Sequence, residues 1–296
     1  MNPGKHTIDA DFFRQLDRFS FMVNKRVSSV YAGSRRSINS GKGIDTVGFR
    51  EYYPGDEPRS IDWKVYARSE KLYVRQFEED KSLTAHILLD ASKSMDYPDK
   101  DTSKFEYGLM LAMGFAYMVT KDNDKFAIST FSEDVDISQA RRGKKHLFQT
   151  LERLETTKLQ GKTDIHECIV SYSRVIHSRS LVIIISDFMD DLDAIRSAIY
   201  RFSDHDLILI QVLDRTEAQL QVHGHTKFMD LETEKDLKTY VSDSFKENYQ
   251  RKLMEHMNSI KDTCYHVGAE YYVFTTDVPI FEAFLYTIDR RHGHGL

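Results

Sequence analysis

Apolar residues follow two alternating patterns from Thr84 onward. Short, continuous apolar runs alternate with longer segments in which apolar residues recur every three or four positions, and this alternation is typical of a mostly parallel sheet covered by helices on both faces. The predicted strands are residues 85–89, 126–131, 181–185, 207–213 and 271–274. The predicted helices are residues 105–117, 145–155, 164–177, 192–202, 235–264 and 278–290.

The chain before Thr84 has a different pattern. Residues 28–48 are rich in Ser, Gly and Arg, and residues 56–77 mix turn-forming residues with short apolar runs. Residues 14–27 place apolar side chains on one side of a possible helix. We therefore predict an N-terminal helical segment at 1–27, a small, partly β segment at 28–80, and a doubly wound, Rossmann-like α/β domain at 81–296.

Composition narrows the class of protein. The 296 residues include 41% hydrophobic and 29% charged residues, which is typical of a globular chain. The two cysteines, Cys168 and Cys264, form no C-x-x-C pair, so neither a disulfide framework nor structural zinc is expected. A net charge of −5 disfavours a whole-protein nucleic-acid binder. Without a secretory leader or an apolar run of the ~20 residues that a membrane helix needs, we expect a cytoplasmic protein with no transmembrane segment.

Polar residues occur where three predicted elements meet the edge of the sheet. Asp90, Ser92 and Ser94 follow the first strand, Thr163 precedes a later helix, and Asp187 follows another strand. In a parallel sheet these segments converge at the carboxyl edge, where doubly wound folds bind ligands. Their side chains offer only oxygen atoms, which suit Mg²⁺, Mn²⁺ or Ca²⁺ better than zinc or copper. The sequence therefore predicts one metal site.

Asp and Ser also favour turns and helix caps, so Asp90 and Ser92 alone are compatible with an ordinary strand-to-helix turn. The Asp-x-Ser-x-Ser run, the later Thr and the later Asp together resemble the metal-ion-dependent adhesion site of von Willebrand factor type A domains. The resemblance implies that Ser92, Ser94 and Thr163 bind the metal through their hydroxyls, while Asp90 and Asp187 act directly or through water. It also implies an open position for a partner's Asp or Glu carboxylate.

A second motif lies upstream, in the segment Pro-Gly-Asp-Glu-Pro-Arg-Ser-Ile-Asp-Trp at residues 54–63. The Pro-Gly-Asp run predicts a tight turn, and the Arg and Asp residues could form ion pairs around the chain's single Trp. A polar recognition surface is the alternative. On that alternative, the candidate partner-binding residues are Asp56, Arg59, Asp62, Trp63 and Arg68.

The order of the two motifs resembles the bacterial and archaeal family called domain of unknown function fifty-eight. The resemblance covers residues 27–291. Family members are associated with MoxR-type AAA+ ATPases and commonly carry transmembrane segments before this region, so this chain resembles the soluble subgroup. The resemblance implies a noncatalytic, metal-dependent protein-binding module, an adaptor or chaperone-like partner of a MoxR-type ATPase, of a client protein presenting an acidic residue, or of both.

Two other functions are open from the residues. A Mg²⁺-dependent phosphotransferase or phosphatase would use Asp90 as its nucleophile, although such phosphatases usually carry a second acid where this chain has Ser92. A nucleic-acid binder would use the basic stretch around Arg35, and we rank it last. No phosphate-binding Gly-x-x-x-x-Gly-Lys-Ser/Thr loop and no Gly-x-Ser-x-Gly elbow occur, so we expect no enzyme of those classes.

Overall fold

The computed structural model describes residues 8, 11–18, 36–40, 45–54, 56, 58–80, 83–97, 102–220, 222–229 and 236–289. The chain divides into two compact units. The smaller unit is Phe21–Leu83, and the larger one combines Met1–Ser20 with Thr84–Leu296. None of the helices in the described part of the chain has the length and apolar character needed to span a bilayer.

Helix α1, at residues 11–18, belongs to the larger unit. Phe12, Phe13 and Leu16 are its buried residues, and the ring of Phe13 lies 5.3 Å from the ring of Tyr117. The predicted helix at 14–27 therefore begins earlier than expected, because Phe12 and Phe13 extend the apolar face toward the N-terminus. Residues 19–27 of that prediction lie outside the described residues.

The smaller unit contains a three-stranded antiparallel sheet in the order β1-β3-β2. Its elements are strand β1 Arg36–Ser40, strand β2 Asp45–Glu51, a 3₁₀ turn Pro58–Ser60, helix α2 Trp63–Ser69 and strand β3 Tyr73–Asp80. Ile61 forms an isolated antiparallel bridge to Val74, and both side chains are buried. This bridge fixes the start of α2 against β3.

The larger unit is built on a six-stranded sheet in the order β11-β8-β7-β4-β5-β6. All neighbouring strands are parallel except β6, which is antiparallel to β5. The strands are β4 Thr84–Asp90, β5 Lys125–Phe131, β6 Val135–Asp136, β7 Leu181–Ser186, β8 Asp206–Leu213 and β11 Glu270–Thr275. A separate hairpin pairs β9 Gly224–Met229 with β10 Asp236–Val241.

Helices cover both faces of this sheet. They are α3 Lys104–Lys121, α4 Lys144–Glu155, α5 Ile165–Ser173, α6 Leu192–Arg201, α7 Arg215–Gln219, α8 Asp243–Val267 and α9 Ile280–Asp289. One core layer joins α5, α6 and α8 to the central strands through residues such as Ile169, Ile199 and Ile260. On the other face α3 packs against β4, β5 and α9. A Cβ at Gly114 would lie 2.0 Å from the ring of Phe284, so α3 and α9 approach too closely for any larger residue there.

The α/β architecture with a mostly parallel sheet is confirmed, and so are the five predicted strands of this sheet. The prediction of one helix over 235–264 is wrong at its start, because Asp236–Val241 forms β10 and pairs with β9. Helix α8 begins only at Asp243, where the Ser242 hydroxyl accepts a hydrogen bond from the Phe245 N–H. Helix α5 ends at Ser173 and not at residue 177.

Candidate functional site

The carboxyl ends of adjacent strands bring the predicted metal ligands to one edge of the large sheet. Asp90 is the last residue of β4, and Asp187 directly follows β7, the neighbour of β4. The loop that carries Thr163 is fastened to the residues after β4 by backbone hydrogen bonds. The Gln160 N–H donates to the Ala91 carbonyl at 3.2 Å, and the Lys93 N–H donates to the Gly161 carbonyl at 3.1 Å.

Asp90 is the centre of a buried hydrogen-bond cluster. Its side chain is wholly buried, and its Oδ1 accepts the Ser92 N–H at 2.9 Å. Its Oδ2 accepts the Ser186 hydroxyl at 2.6 Å and the Thr163 hydroxyl at 3.5 Å. Burial, followed by the negative charge of Asp187, raises the pKa of Asp90 to about 7. A cation beside this carboxylate would stabilise its charged form and so oppose both causes of the raised pKa.

Ser92 and Ser94 present two hydroxyl oxygens beside Asp90. Ser92 directly precedes the 3₁₀ turn Lys93–Asp96, and its Oγ lies 3.0 Å from the Oγ of Ser94. In an octahedral Mg²⁺ site with Mg–O distances of about 2.1 Å, adjacent ligand oxygens lie about 3 Å apart. The 3.0 Å separation is that of a hydrogen bond between the two hydroxyls, and it is also compatible with neighbouring ligands of Mg²⁺, so the oxygen donors present here fit a hard cation.

Asp187 is held by an ion pair that the sequence did not predict. Lys104 Nζ lies 2.7 Å from Asp187 Oδ2 and 2.9 Å from Glu217 Oε1, and the Lys104 side chain is 1% exposed. Burial would lower the pKa of Lys104, but the charges of Asp187 and Glu217 outweigh burial and raise it. The other oxygen of Asp187, Oδ1, accepts the Met189 N–H at 3.2 Å. Asp187 is therefore fixed in place, with part of its charge offset by Lys104.

The sequence does contain a signal that Lys104 has an anionic partner. Ser103 and Glu106 form a capping box at the start of α3, which makes Lys104 the first helical residue. A cation in the first turn opposes the helix dipole, so a Lys at this position indicates a nearby anion. The sequence could thus have suggested a partner for Lys104, but not that the partner is Asp187.

The turn after β7 has an unusual backbone. Phe188 has a φ of +50°, in the left-handed region that bulky residues rarely adopt. Its N–H donates to the Ser186 hydroxyl at 3.0 Å, and its carbonyl oxygen lies 2.7 Å from His256 Nε2. The same Ser186 hydroxyl donates to Asp90, so the turn links the two acids of the site. Strained backbone held by its surroundings is common at functional sites.

The structure thus links Asp90, Ser92, Ser94 and Thr163 by hydrogen bonds and places Asp187 close enough to affect Asp90. Within the described ranges, no group of three or more His, Cys, Asp or Glu side chains is arranged to hold a metal ion. The five candidate metal ligands are not a cluster of that kind, because only two of them are carboxylates and the other three are neutral hydroxyls.

In the smaller unit, Asp56 and Asp62 stabilise the backbone around the second motif. Arg50 donates to both oxygens of Asp56 at 2.7 and 2.6 Å, and the Tyr53 N–H donates to Asp56 Oδ2 at 2.9 Å. The hydrogen bonds from Arg50 and then from Tyr53 lower the pKa of Asp56 to about 2. Asp62 caps α2 by accepting the N–H groups of the second and third helical residues at 2.8 and 3.1 Å.

The other three candidates of this motif, Arg59, Trp63 and Arg68, are exposed to solvent. Arg50 was not among the predicted site residues, although it fixes the turn that positions them. The predicted role of the motif in partner binding stays a prediction.

Comparisons with known proteins identify the family to which the chain belongs. A family model described as "Protein of unknown function DUF58" matches residues 48–259. Uncharacterized protein Mb1516 of Mycobacterium bovis and uncharacterized protein Rv1480 of Mycobacterium tuberculosis are each 23% identical over 259 residues, covering 86% of this chain and 82% of each relative. The crystal structure of the conserved hypothetical protein BatB from Bacteroides thetaiotaomicron covers 71% of this chain and 99% of its own, with 17% identity and a TM-score of 0.45. Because the family match extends over most of the chain, the protein belongs to the DUF58 family, as the order of its motifs predicted.

Proposed function

We propose that the protein is a noncatalytic, divalent-metal-dependent protein-binding module. Its metal site would be formed by Asp90, Ser92, Ser94, Thr163 and Asp187. The observation that carries this proposal is the Asp90 carboxylate, which is wholly buried, has a pKa raised to about 7 and accepts hydrogen bonds from side-chain hydroxyls. An anion in such a place is unfavourable unless a positive charge compensates it.

The residues around Asp90 suit a binding role. When bound, Mg²⁺, Mn²⁺ or Ca²⁺ would supply a coordination position for a carboxylate from a partner protein. Ser92, Ser94 and Thr163 would contribute neutral oxygens, and Lys104 already offsets part of the charge of Asp187. Asp90 is then the main uncompensated anion of the site, so the cation would keep enough positive charge to attract an outside Asp or Glu side chain.

The finer fold assignment and the partner belong to the same proposal. We propose that the parallel sheet is of the von Willebrand factor type A kind, because the Asp-x-Ser-x-Ser run follows its central strand β4. We propose a MoxR-type AAA+ ATPase, or a client protein presenting an acidic residue, as the partner, since the family resemblance implies that association. Such an ATPase works where ATP is available, which favours a cytoplasmic setting.

The burial of Asp90 weighs against the phosphotransferase alternative. Both carboxylate oxygens accept hydrogen bonds, and the side chain has no exposed surface from which to attack a phosphoryl group. The basic stretch that motivated the nucleic-acid alternative includes Arg35, which lies outside the described residues. No described contact favours either alternative.

Calorimetric titration with MgCl₂ and MnCl₂ tests the metal site directly. We expect wild-type protein to bind the cation and Asp90→Asn to lose that binding, because the substitution removes the main negative charge. Asp193→Asn is the matched control, since Asp193 is an exposed acid close in sequence to the same edge. A folded Asp90→Asn variant that binds the cation as well as wild type would contradict the assignment.

Partner binding is tested separately by immobilising the protein and passing a MoxR-type ATPase over it in Mg²⁺ and in EDTA. We expect the interaction to disappear in EDTA and in Asp90→Asn. Undiminished binding in EDTA by a folded protein would refute the metal-dependent mechanism, even if the titration had shown a metal site.

A further inference from the structure

Helix α2 in the smaller unit exposes aromatic rings that a folded chain usually buries. Trp63 is 60% exposed and Tyr66 is 42% exposed. Their rings form an edge-to-face pair with centroids 6.0 Å apart and planes at 84°. None of the seven residues of α2 is buried. The helix therefore contributes almost no apolar burial to the fold, and its rings are available to an outside molecule.

The backbone that carries these rings is nevertheless well fixed. Asp62 caps the first turn of α2, and the Asp62 N–H donates to the Tyr73 carbonyl of β3 at 2.8 Å. At the other end, the Glu70 N–H donates to the Tyr66 carbonyl at 2.9 Å. A rigid backbone loses little conformational entropy on binding, which is a property of effective recognition surfaces. Exposed Trp and Tyr side chains are also the residue types most enriched among binding hot spots.

Basic side chains accompany the rings. Lys64 and Arg68 are four residues apart, and so are neighbours on one side of α2, while Arg59 lies in the 3₁₀ turn that leads into the helix. All three are exposed. No carboxylate in the part of the chain that the structure describes forms an ion pair with any of them. The nearby acids Asp56 and Asp62 are engaged with Arg50 and with the helix backbone.

The size and charge of the surface formed by α2 and the turn before it indicate which kind of molecule would bind there. A seven-residue helix is about 10 Å long, which matches about three extended residues of a peptide. A membrane or a nucleic acid would present an anionic surface far more extended than this short helix and the turn before it. A short acidic segment would meet only the basic side chains and the rings.

We propose that α2 and the preceding turn form a docking site for a short acidic segment of a partner protein that carries an aromatic or large aliphatic side chain. Trp63 and Tyr66 would contact the apolar side chain, and Arg59, Lys64 and Arg68 would pair with the carboxylates. The site uses none of the residues of the metal-dependent proposal, and its binding does not require a divalent cation.

Trp63 is the only Trp in the chain, so its fluorescence reports directly on this site. The test measures acrylamide quenching of Trp63 in EDTA during titration with synthetic Trp-free peptides. One peptide is rich in Glu with a central Phe, a second has Ser in place of Phe, and a third has Lys in place of Glu. We expect the first peptide to reduce quenching several-fold, the second to act more weakly and the third to have no effect.

Charge-reversal variants then locate the binding. We expect the Arg59→Glu/Arg68→Glu variant to bind the acidic peptide at least about tenfold more weakly, because attraction becomes repulsion at two positions. The loss is measured as weaker protection of Trp63 from quenching by acrylamide. Arg142→Glu is the matched control, since Arg142 is an exposed basic residue of the larger unit, and it should bind as wild type does. All substituted residues are exposed, so circular dichroism should show folded variants.

Three results would overturn the proposal. One is the absence of protection by the acidic peptides up to about millimolar concentration, the weak end of specific binding. Another is equal binding by the Arg59→Glu/Arg68→Glu variant. The third is protection of Trp63 only by phosphatidylglycerol vesicles or by a single-stranded oligonucleotide, which would assign the surface to a membrane or to nucleic acid. Because EDTA is present throughout, none of these results depends on the metal site.

Discussion

Two regions of the protein differ from the usual burial of apolar residues and exposure of polar ones, and they differ in opposite ways. These regions are the carboxyl edge of the large sheet and helix α2 of the smaller unit. At the sheet edge, Asp90 and Lys104 are polar groups buried in the fold. On α2, Trp63 and Tyr66 are aromatic groups exposed to water. Buried charges and exposed aromatic clusters are the informative exceptions to ordinary burial. Each region is therefore a candidate for binding something that the isolated chain lacks.

The two regions also differ in how much the fold depends on them. At the sheet edge the charged groups contact one another inside the protein, so removing one leaves another without compensation. On α2 the rings and basic side chains face water, so removing one changes little in the folded chain. The comparison predicts large stability effects at the edge and small ones on the helix.

The largest expected effect is that of Lys104→Met. Loss of the ammonium would leave Asp187 buried without its counter-charge, and breaking a buried pair in this way costs about 3–5 kcal/mol. Urea denaturation should therefore show a strong decrease in the free energy of unfolding. Lys121→Met is the control, because the Lys121–Asp17 pair is partly exposed and should contribute at most about 1 kcal/mol. If both variants lowered the free energy of unfolding by a similarly small amount, the Lys104–Asp187 pair would not be important for stability.

A pH dependence of stability should follow from Asp90. Its pKa is raised from 3.8 to about 7, so between these pH values the folded state binds a proton that the unfolded state has lost. The free energy of unfolding in EDTA should then fall as pH rises through this window, by about 4 kcal/mol. Thermal denaturation across the pH range would measure this decrease.

Asp90→Asn should remove most of that pH dependence, because the amide does not ionise. Mg²⁺ should stabilise wild-type protein more at about pH 8 than at about pH 5, since protons compete with the cation for Asp90 at the lower pH. Asp193→Asn should retain both behaviours. A metal effect that is the same at both pH values would show that Asp90 does not take part in cation binding.

The smallest expected effect is that of Trp63→Ala on stability. Because the ring is mostly exposed and its loss removes mainly the edge-to-face contact with Tyr66, the free energy of unfolding should fall by about 1 kcal/mol. Urea denaturation measures it, with Tyr265→Ala as the control, since Tyr265 is 80% exposed in the larger unit. A loss of more than about 2 kcal/mol would mean that Trp63 supports the fold, and the contrast between the two regions would disappear.

Local patterns predicted most elements of the large sheet. Continuous apolar runs marked β4, β5, β7 and β8, because strands buried on both faces need apolar residues at most positions, and a shorter run marked the edge strand β11. The same approach failed at β10, where Asp236–Val241 pairs with a strand of a separate hairpin. That pairing is decided by β9 and is not visible in the period of the segment itself.

The sequence predicted which candidate residues lie at the sheet edge, but not what surrounds them. The sequence alone placed Asp90, Ser92, Ser94, Thr163 and Asp187 at strand or helix ends, because the ends of apolar runs are visible in any sequence. It did not identify Ser186, whose hydroxyl donates to Asp90 across 96 positions of the chain. Nor did it show that Asp56 and Asp62 stabilise a turn and a helix while Trp63 faces solvent.

The sequence by itself determined the α/β class, the five parallel strands of the large sheet and the residues at their carboxyl ends, because these depend on local apolar patterns. Only the tertiary structure decided that β7 lies beside β4, that Lys104 pairs with Asp187, and that the rings of α2 stay uncovered. Lys104 and Asp187 are 83 positions apart, and their contact depends on how α3 packs against the sheet. Contacts of this kind follow from the packing of whole elements, which no local pattern specifies.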